Sequence, residues 1–245
     1  MNLDPELALV LSRARSMGFL GSSELDYQAA HALGFATALE EIEPSNLPVS
    51  RVDQHRASPG PAAAMNTPTD GSWIPARVVD LGSGGGLPGL VLATRWTTTR
   101  FVLMESNRRR ATFLRESVDR LALGTRVDVV EERAEAAARD PNMRAAFDLA
   151  VARSFGPPAV TAECAAGFLM TGGLLVVSEP PDPPGDPGSS GRWPPDGLAI
   201  LGMQPLVASS SPFHYQVLRQ ASPCPDKYPR AVGIPAKRPI FRPRA

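Results

Sequence analysis

The sequence predicts an α/β fold, a mostly parallel seven-stranded sheet preceded by a small N-terminal helical region. Three observations predict it. Five apolar, β-branched runs alternate with four segments of helical period, and a cluster of glycines follows the first run directly. Near the C-terminus two more strand-like runs adjoin with no helix between them, as in an antiparallel hairpin added at a sheet edge.

Taken in order, residues 4–19 and 24–43 read as helices. Leu7, Val10, Leu11 and Ala14 recur at helical spacing, as do Ala29, Ala32, Leu33, Ala36 and Leu39. Asp4-Pro5-Glu6 supplies a cap followed by proline at the first helical position. Strands are expected at 77–82, 100–105, 126–131, 147–152 and 173–178, and helices at 87–95, 107–122, 134–145 and 157–169. The two last strands are expected at 198–207 and 213–220. This alternation is Rossmann-like, with a ligand expected at the carboxyl ends of the first strands.

Proline, 26 of 245 residues, is concentrated in three stretches that should not be regular. They divide the chain into a helical region at 1–43, a linker or long loop at 44–75, and a main domain at 76–245. Within that domain, 180–196 reads as a flexible insertion and 226–245 as an extended basic tail. Formal net charge is zero, yet the tail carries Lys227, Arg230, Lys237, Arg238, Arg242 and Arg244 against one acid, Asp226. Such an arm can attract a polyanion.

No run of about 18 apolar residues could span a bilayer, and the N-terminus lacks a basic, apolar signal. Cys164 and Cys224 are unpaired in spacing, which argues against a disulfide scaffold and for a reducing compartment. The expectation is a cytoplasmic protein without a metal. His31, His55 and His214 are scattered, and a G-x-S-x-G elbow is absent from the sequence, so hydrolase and metalloenzyme chemistry find no support.

The run Arg77-Val-Val-Asp-Leu-Gly-Ser-Gly-Gly-Gly-Leu-Pro-Gly89 carries the chemistry. Gly82, Gly84 and Gly86 permit positive φ and close approach of backbone to a ligand, and the helix opening after Leu87 presents free amides. Gly84-Gly-Gly86-Leu-Pro-Gly89 also satisfies the dinucleotide pattern G-x-G-x-x-G, with Glu105 about twenty residues on to take ribose hydroxyls. Asp80 separates the two readings: an acid there suits the ammonium of S-adenosylmethionine and suits a pyrophosphate poorly.

Further motifs follow at Val102-Leu-Met-Glu-Ser-Asn-Arg-Arg-Arg-Ala-Thr-Phe-Leu114, Arg133-Ala-Glu135, Phe147-Asp-Leu-Ala-Val-Ala-Arg153 and Lys227-Tyr-Pro-Arg-Ala-Val-Gly-Ile-Pro-Ala-Lys-Arg-Pro-Ile240. Together with Leu87-Pro88-Gly89 they resemble the bacterial RsmG (GidB) family, which methylates N7 of a guanine in 16S ribosomal RNA. The resemblance covers about 76–178 and 213–240. It implies a Rossmann-like class I methyltransferase fold, S-adenosyl-L-methionine as cofactor, and 16S ribosomal RNA or the small subunit as partner. By this similarity Gly82 and Leu87 line the cofactor, Glu105 holds its ribose, Ala134 and Glu135 lie against adenine, and Arg153 stands beside cofactor and incoming base. Lys227, Tyr228, Arg230, Lys237 and Arg238 are the candidate RNA contacts, with Phe155 a candidate stacking platform. Arg108–Arg110 are either contacts for RNA phosphates or, as their place favours, a solvated helix face near the cofactor.

The chain departs from the family before the first strand, where residues 27–75 lack its tryptophan-asparagine and arginine-histidine motifs. Ser154 stands where the family tends to have alanine, and Ser178-Glu179-Pro180 where a lysine-glycine is usual. A methyltransferase acting on another RNA or a small molecule, and a non-catalytic S-adenosylmethionine-binding or ribosome-associated module, are the alternatives. No catalytic base is assigned, because guanine N7 offers a lone pair and no proton.

Overall fold

A computed structural model describes residues 3–48, 73–180, 191–209 and 212–242. Its elements are α1 (Pro5–Ser16), α2 (Leu25–Glu40), a 3-10 turn (Pro44–Asn46), β1 (Arg77–Leu81), α3 (Gly89–Arg95), β2 (Arg100–Met104), α4 (Arg108–Arg120), β3 (Val127–Val130), α5 (Ala134–Ala137), β4 (Phe147–Ala152), α6 (Pro158–Phe168), β5 (Leu169–Ser178), α7 (Pro195–Ala199), β6 (Met203–Ser209), β7 (Tyr215–Gln220) and α8 (Ile234–Lys237). Seven strands form one sheet in the order β3-β2-β1-β4-β5-β7-β6. The first five are parallel, and β7 runs antiparallel between β5 and β6.

Alternation along the strands sorts side chains onto two faces. Val78, Leu103, Leu149, Val151, Leu174 and Val176 point to a core shared with α1, α2, α3 and α4. Val79, Leu81, Met104, Ala150, Leu175 and Val177 point to a second core under α5, α6 and α7. Both faces of β1, β4 and β5 are covered, which is why those strands read as nearly unbroken apolar runs.

The N-terminal helices belong to the first of these cores. Asp4 caps α1, accepting from the amides of Glu6 and Leu7 at 3.0 and 3.1 Å. Helix α2 lies against α3, β5 and β7. Gly34 permits that contact: a Cβ there would overlap the hydroxyl and ring of Tyr215, whose hydroxyl donates to the His31 carbonyl.

Several expectations are corrected. The helix expected at 134–145 is a single turn, because Pro141 follows Asp140, whose carboxylate accepts the Asn142 amide at 2.8 Å. The strand expected at 198–207 begins only at Met203. Pro195-Asp196 starts α7 instead, with proline at the head of the helix. The insertion placed at 180–196 folds from 191 onward, with Trp193 buried, and 181–190 lie outside the described residues. Of the linker at 44–75, residues 49–72 also lie outside them, while Leu47, Trp73 and Ile74 pack against the first core.

The tail expected at 226–245 is docked through residue 242 rather than extended as a free arm. Arg139 donates to the Pro229 carbonyl at 2.8 Å, and Arg144 to the carbonyls of Tyr228 at 2.8 Å and Cys224 at 3.0 Å. Arg230 grips the fully buried carboxylate of Glu163 through Nε at 2.9 Å and Nη2 at 2.6 Å, and its backbone amide adds a third bond at 2.8 Å.

Gly34→Ala is expected to destabilise the protein by about 1–3 kcal/mol through overpacking against Tyr215. That outweighs the roughly 1 kcal/mol of helix propensity alanine brings. A lowered urea midpoint with an unchanged slope checks it.

Candidate active site

The turn from β1 to α3 is held by the acids that end the two central strands. On β1, Asp80 shares the face of Val78, so its carboxylate reaches the first turn of α3 and accepts the Gly89 amide at 3.0 Å. At the end of β2, Glu105 accepts the Gly84 amide at 3.1 Å and the Asn107 amide at 2.8 Å. Gly82, Gly84 and Gly86 take φ of 70°, 56° and 94°, a region that strains residues with a Cβ. The close approach is real at Gly82, where a Cβ would stand 2.8 Å from the Phe155 ring.

Two clefts open at the carboxyl ends of the parallel strands. The first, about 170 Å³, is lined by Gly82, Glu105, Arg110, Ala134, Glu135 and Phe155. Glu135 is 1% exposed. Its Oε1 accepts from Arg133 and from the Gly233 amide, at 3.0 and 3.1 Å, while Oε2 is buried without a hydrogen-bond partner. Burial pushes the Glu135 carboxyl upward, but the Arg133 hydrogen bond and two backbone amides outweigh it and hold it below its ordinary range. Arg110 stands 3.9 Å from Glu105, so part of the Arg108–Arg110 face belongs to the cleft wall.

The second cleft, about 430 Å³, is lined by His31, Arg153, Phe155, Glu179, Arg192 and Trp193. It shares Ser154 and Phe155 with the first, so the two meet beside the end of β4. Ser154 has a φ of 55°, a strained conformation that sets the direction of chain between Arg153 and Phe155. Arg153 donates through Nη2 to Gln28, and its Nη1 is buried without a partner. Burial, reinforced by Arg153, lowers His31 to about 4, so the imidazole is neutral at physiological pH. Glu179 is engaged by Arg192, so the rim carries an ion pair rather than a bare negative charge.

Of the residues singled out in the sequence, Gly82, Glu105, Ala134 and Glu135 come together in the first cleft, and Arg153 in the second. Asp80, Gly84, Gly86 and Leu87 form the layer that supports them. Asp80 and Leu87 are buried at 0% and 4% exposure, and neither lines the first cleft. Lys227, Lys237 and Arg238 are exposed, whereas Tyr228 is buried and Arg230 is committed to Glu163. Sequence reasoning missed Gln28, although a polar residue on the apolar stripe of α2 was a legible signal.

A seven-stranded sheet of this order, with a glycine turn after the first strand and acids ending the first two, defines a class I S-adenosylmethionine-dependent methyltransferase. The fold likeness is broad. The chain superposes on the S-adenosylhomocysteine-bound methyltransferase PaMTH1 of Podospora anserina with TM-score 0.53 at 14% identity, over 89% of each chain. A Corynebacterium glutamicum protein gives 0.56 at 12% identity, over 91% of this chain and 92% of that one. Residues 64–179 match the GidB family model, described as rRNA small subunit methyltransferase G. The ribosomal RNA small subunit methyltransferase G of Prochlorococcus marinus MIT 9313 is 36% identical over 169 residues, 68% of either chain. Its namesake in Synechococcus sp. RCC307 is 34% identical over 180 residues, 68% of this chain and 71% of that one. The chain belongs to the RsmG (GidB) family. Among the described residues no helix is long and apolar enough to cross a membrane, and no group of three metal-ligating side chains occurs.

Burial pushes the Asp80 carboxyl up to about 7 from the usual 3.8, against the pull of the Gly89 amide. A raised carboxyl favours the folded state at low pH, and that contribution is lost as pH rises from about 4 through about 7. The unliganded protein should therefore lose thermal stability across this window, and Asp80→Asn should flatten the dependence. Melting curves between pH 5 and 8 check both.

Proposed function

We propose that this chain transfers the methyl group of S-adenosylmethionine to N7 of a guanine in 16S ribosomal RNA, working in the cytoplasm on the small subunit or its RNA. The observation that carries the reading is the meeting of the two clefts at Ser154 and Phe155, one walled by strand-end acids and glycine backbone, the other open beside it.

The polar groups gathered at the ends of β1, β2 and β4, between and beneath the two clefts, fit the cofactor. Asp80 Oδ1 and Arg153 Nη1, one from an acid and one from a guanidinium, are buried atoms without hydrogen-bond partners, and the strands that lead to them are paired in register as far as Leu81 and Ala152. An α-amino acid offers an ammonium to the first and a carboxylate to the second. Each Glu105 oxygen already takes one amide and keeps a lone pair for a ribose hydroxyl. Ala134 and Glu135 line the cleft where an adenine edge would be read, and Glu135 Oε2 is buried without a hydrogen-bond partner.

When bound, the sulfonium supplies an electrophilic methyl carbon. Transfer would form the N7–carbon bond as the sulfur–carbon bond broke, its electrons passing to sulfur. No proton leaves the acceptor, so the chain's task is placement. Phe155 offers a ring face to a base at the junction, and neutral His31 adds no charge there. Lys227, Lys237 and Arg238 are exposed to meet phosphates, while Tyr228 and Arg230 brace the tail that bears them. The Glu179–Arg192 pair, where the family usually has a lysine, favours a second reading in which the acceptor is a different RNA.

Gly82→Val is expected to lower cofactor affinity at least tenfold in a folded protein, measured by calorimetry, because its side chain would occupy the space beside Phe155. Tritiated methyl transfer onto small subunits and naked 16S RNA lacking the guanine-N7 mark tests the function itself. Incorporation at one guanine N7 is expected, and it should fall steeply with salt if the exposed cations carry the contact. Cofactor binding without incorporation into either substrate would refute the assignment.

A further inference from the structure

Gln28 lies on the stripe of α2 that faces the sheet, beside Ala29 and Ala32, and is 1% exposed. Its side-chain amide is fully used. Nε2 donates to the Gly21 carbonyl at 3.0 Å and to the Ser23 carbonyl at 2.9 Å, which consumes both hydrogens. The flip of the amide is thereby fixed by the turn between α1 and α2. Oε1 is left facing the sheet, where it accepts from Arg153 Nη2 at 3.3 Å. The same guanidinium leaves Nη1 buried and unpartnered at the end of β4. His31, one turn further along α2, lines the same cleft and is neutral.

This arrangement restrains an arginine without cancelling its charge. A carboxylate in place of Gln28 would form an ion pair and compete with any anion for the guanidinium. A neutral carbonyl fixes one nitrogen and leaves the cation's attraction for a ligand intact. We propose that Gln28 is a positioning residue, through which the N-terminal helices hold Arg153 with Nη1 turned toward the carboxylate of the cofactor's amino acid end. The proposal rests on the reading of Arg153 as the ligand of that carboxylate. It assigns a function to the region that departs most from the family: α2 completes the cofactor site from outside the sheet.

The test uses two nucleosides, S-adenosylhomocysteine and 5′-methylthioadenosine, the second lacking the amino acid end. Calorimetry on the full chain gives their affinity ratio for the wild type, Gln28→Met, Arg153→Met and the double variant. Gln28→Met should weaken S-adenosylhomocysteine about tenfold and leave 5′-methylthioadenosine within twofold. Arg153→Met should collapse the ratio, and Gln28→Met should add nothing in that background, the signature of two residues acting as one unit. A ratio unchanged by Arg153→Met removes the carboxylate ligand and the proposal with it. A ratio collapsed by Arg153→Met but unchanged by Gln28→Met, or equal weakening of both nucleosides by Gln28→Met, overturns the Gln28 role alone. If Gln28→Met does not fold, Gln28→Glu replaces it. Its charge competes for Arg153 and should lower only S-adenosylhomocysteine affinity, at least tenfold, an unchanged ratio overturning the proposal.

Discussion

The hydrogen bond from the Gly89 amide to the buried carboxylate of Asp80 is the constraint from which the site is built. β1 is flanked by β2 on one side and β4 on the other, so crossovers leave it in opposite directions and a crevice opens above its end. The chain must turn there and enter α3 within a few residues. Asp80 ties the start of that helix back to the strand, and Glu105 on the neighbouring strand ties the middle of the turn at Gly84. Both ties are made by protein groups alone. The turn is thus held by two contacts that use no ligand atom, which lessens the ordering that binding must supply.

The cost falls on Asp80. Its carboxylate is sealed from water, and one oxygen lacks a partner. Burial raises that carboxyl to about 7, and a ligand ammonium beside it would draw it back to its ionised form. Arg153 is in the complementary position, a guanidinium with one nitrogen committed and one spare. The site thus combines a finished backbone cradle with an unfinished pair of charges, a division that suits a ligand carrying both an ammonium and a carboxylate.

Much of the fold was legible because the signals were local. β-branched runs, a capped helix start and a glycine turn each determine their own few residues, and the two covered faces of the sheet explain the unbroken apolar strands. Pro141 was equally local and shortened a helix that periodicity alone had extended. The docked tail was not legible. Its carbonyls are satisfied by Arg139 and Arg144, eighty or more residues earlier in the chain, and Arg230 by a glutamate 67 residues away. A count of charges cannot tell a cation held by a buried acid from one facing solvent. In the site, the glycines and strand-end acids were visible as a motif. The link between Gln28 and Arg153 spans 125 positions and has no period to betray it.

The seating of α2 on β7, through Gly34 and the Tyr215 hydroxyl, joins points 184 residues apart in sequence. During synthesis α1 and α2 emerge before the sheet, and the seat on β7 does not exist until that strand has left the ribosome. Part of the apolar surface of these helices can meet α3 and α4 earlier, but the seat on β7 stays open while the sheet is made strand by strand. Gln28 and Arg153, 125 positions apart, can meet only once β4 has been made. The contact that restrains Arg153 is in this way timed by topology, since the helix that makes it is translated well before the strand that needs it.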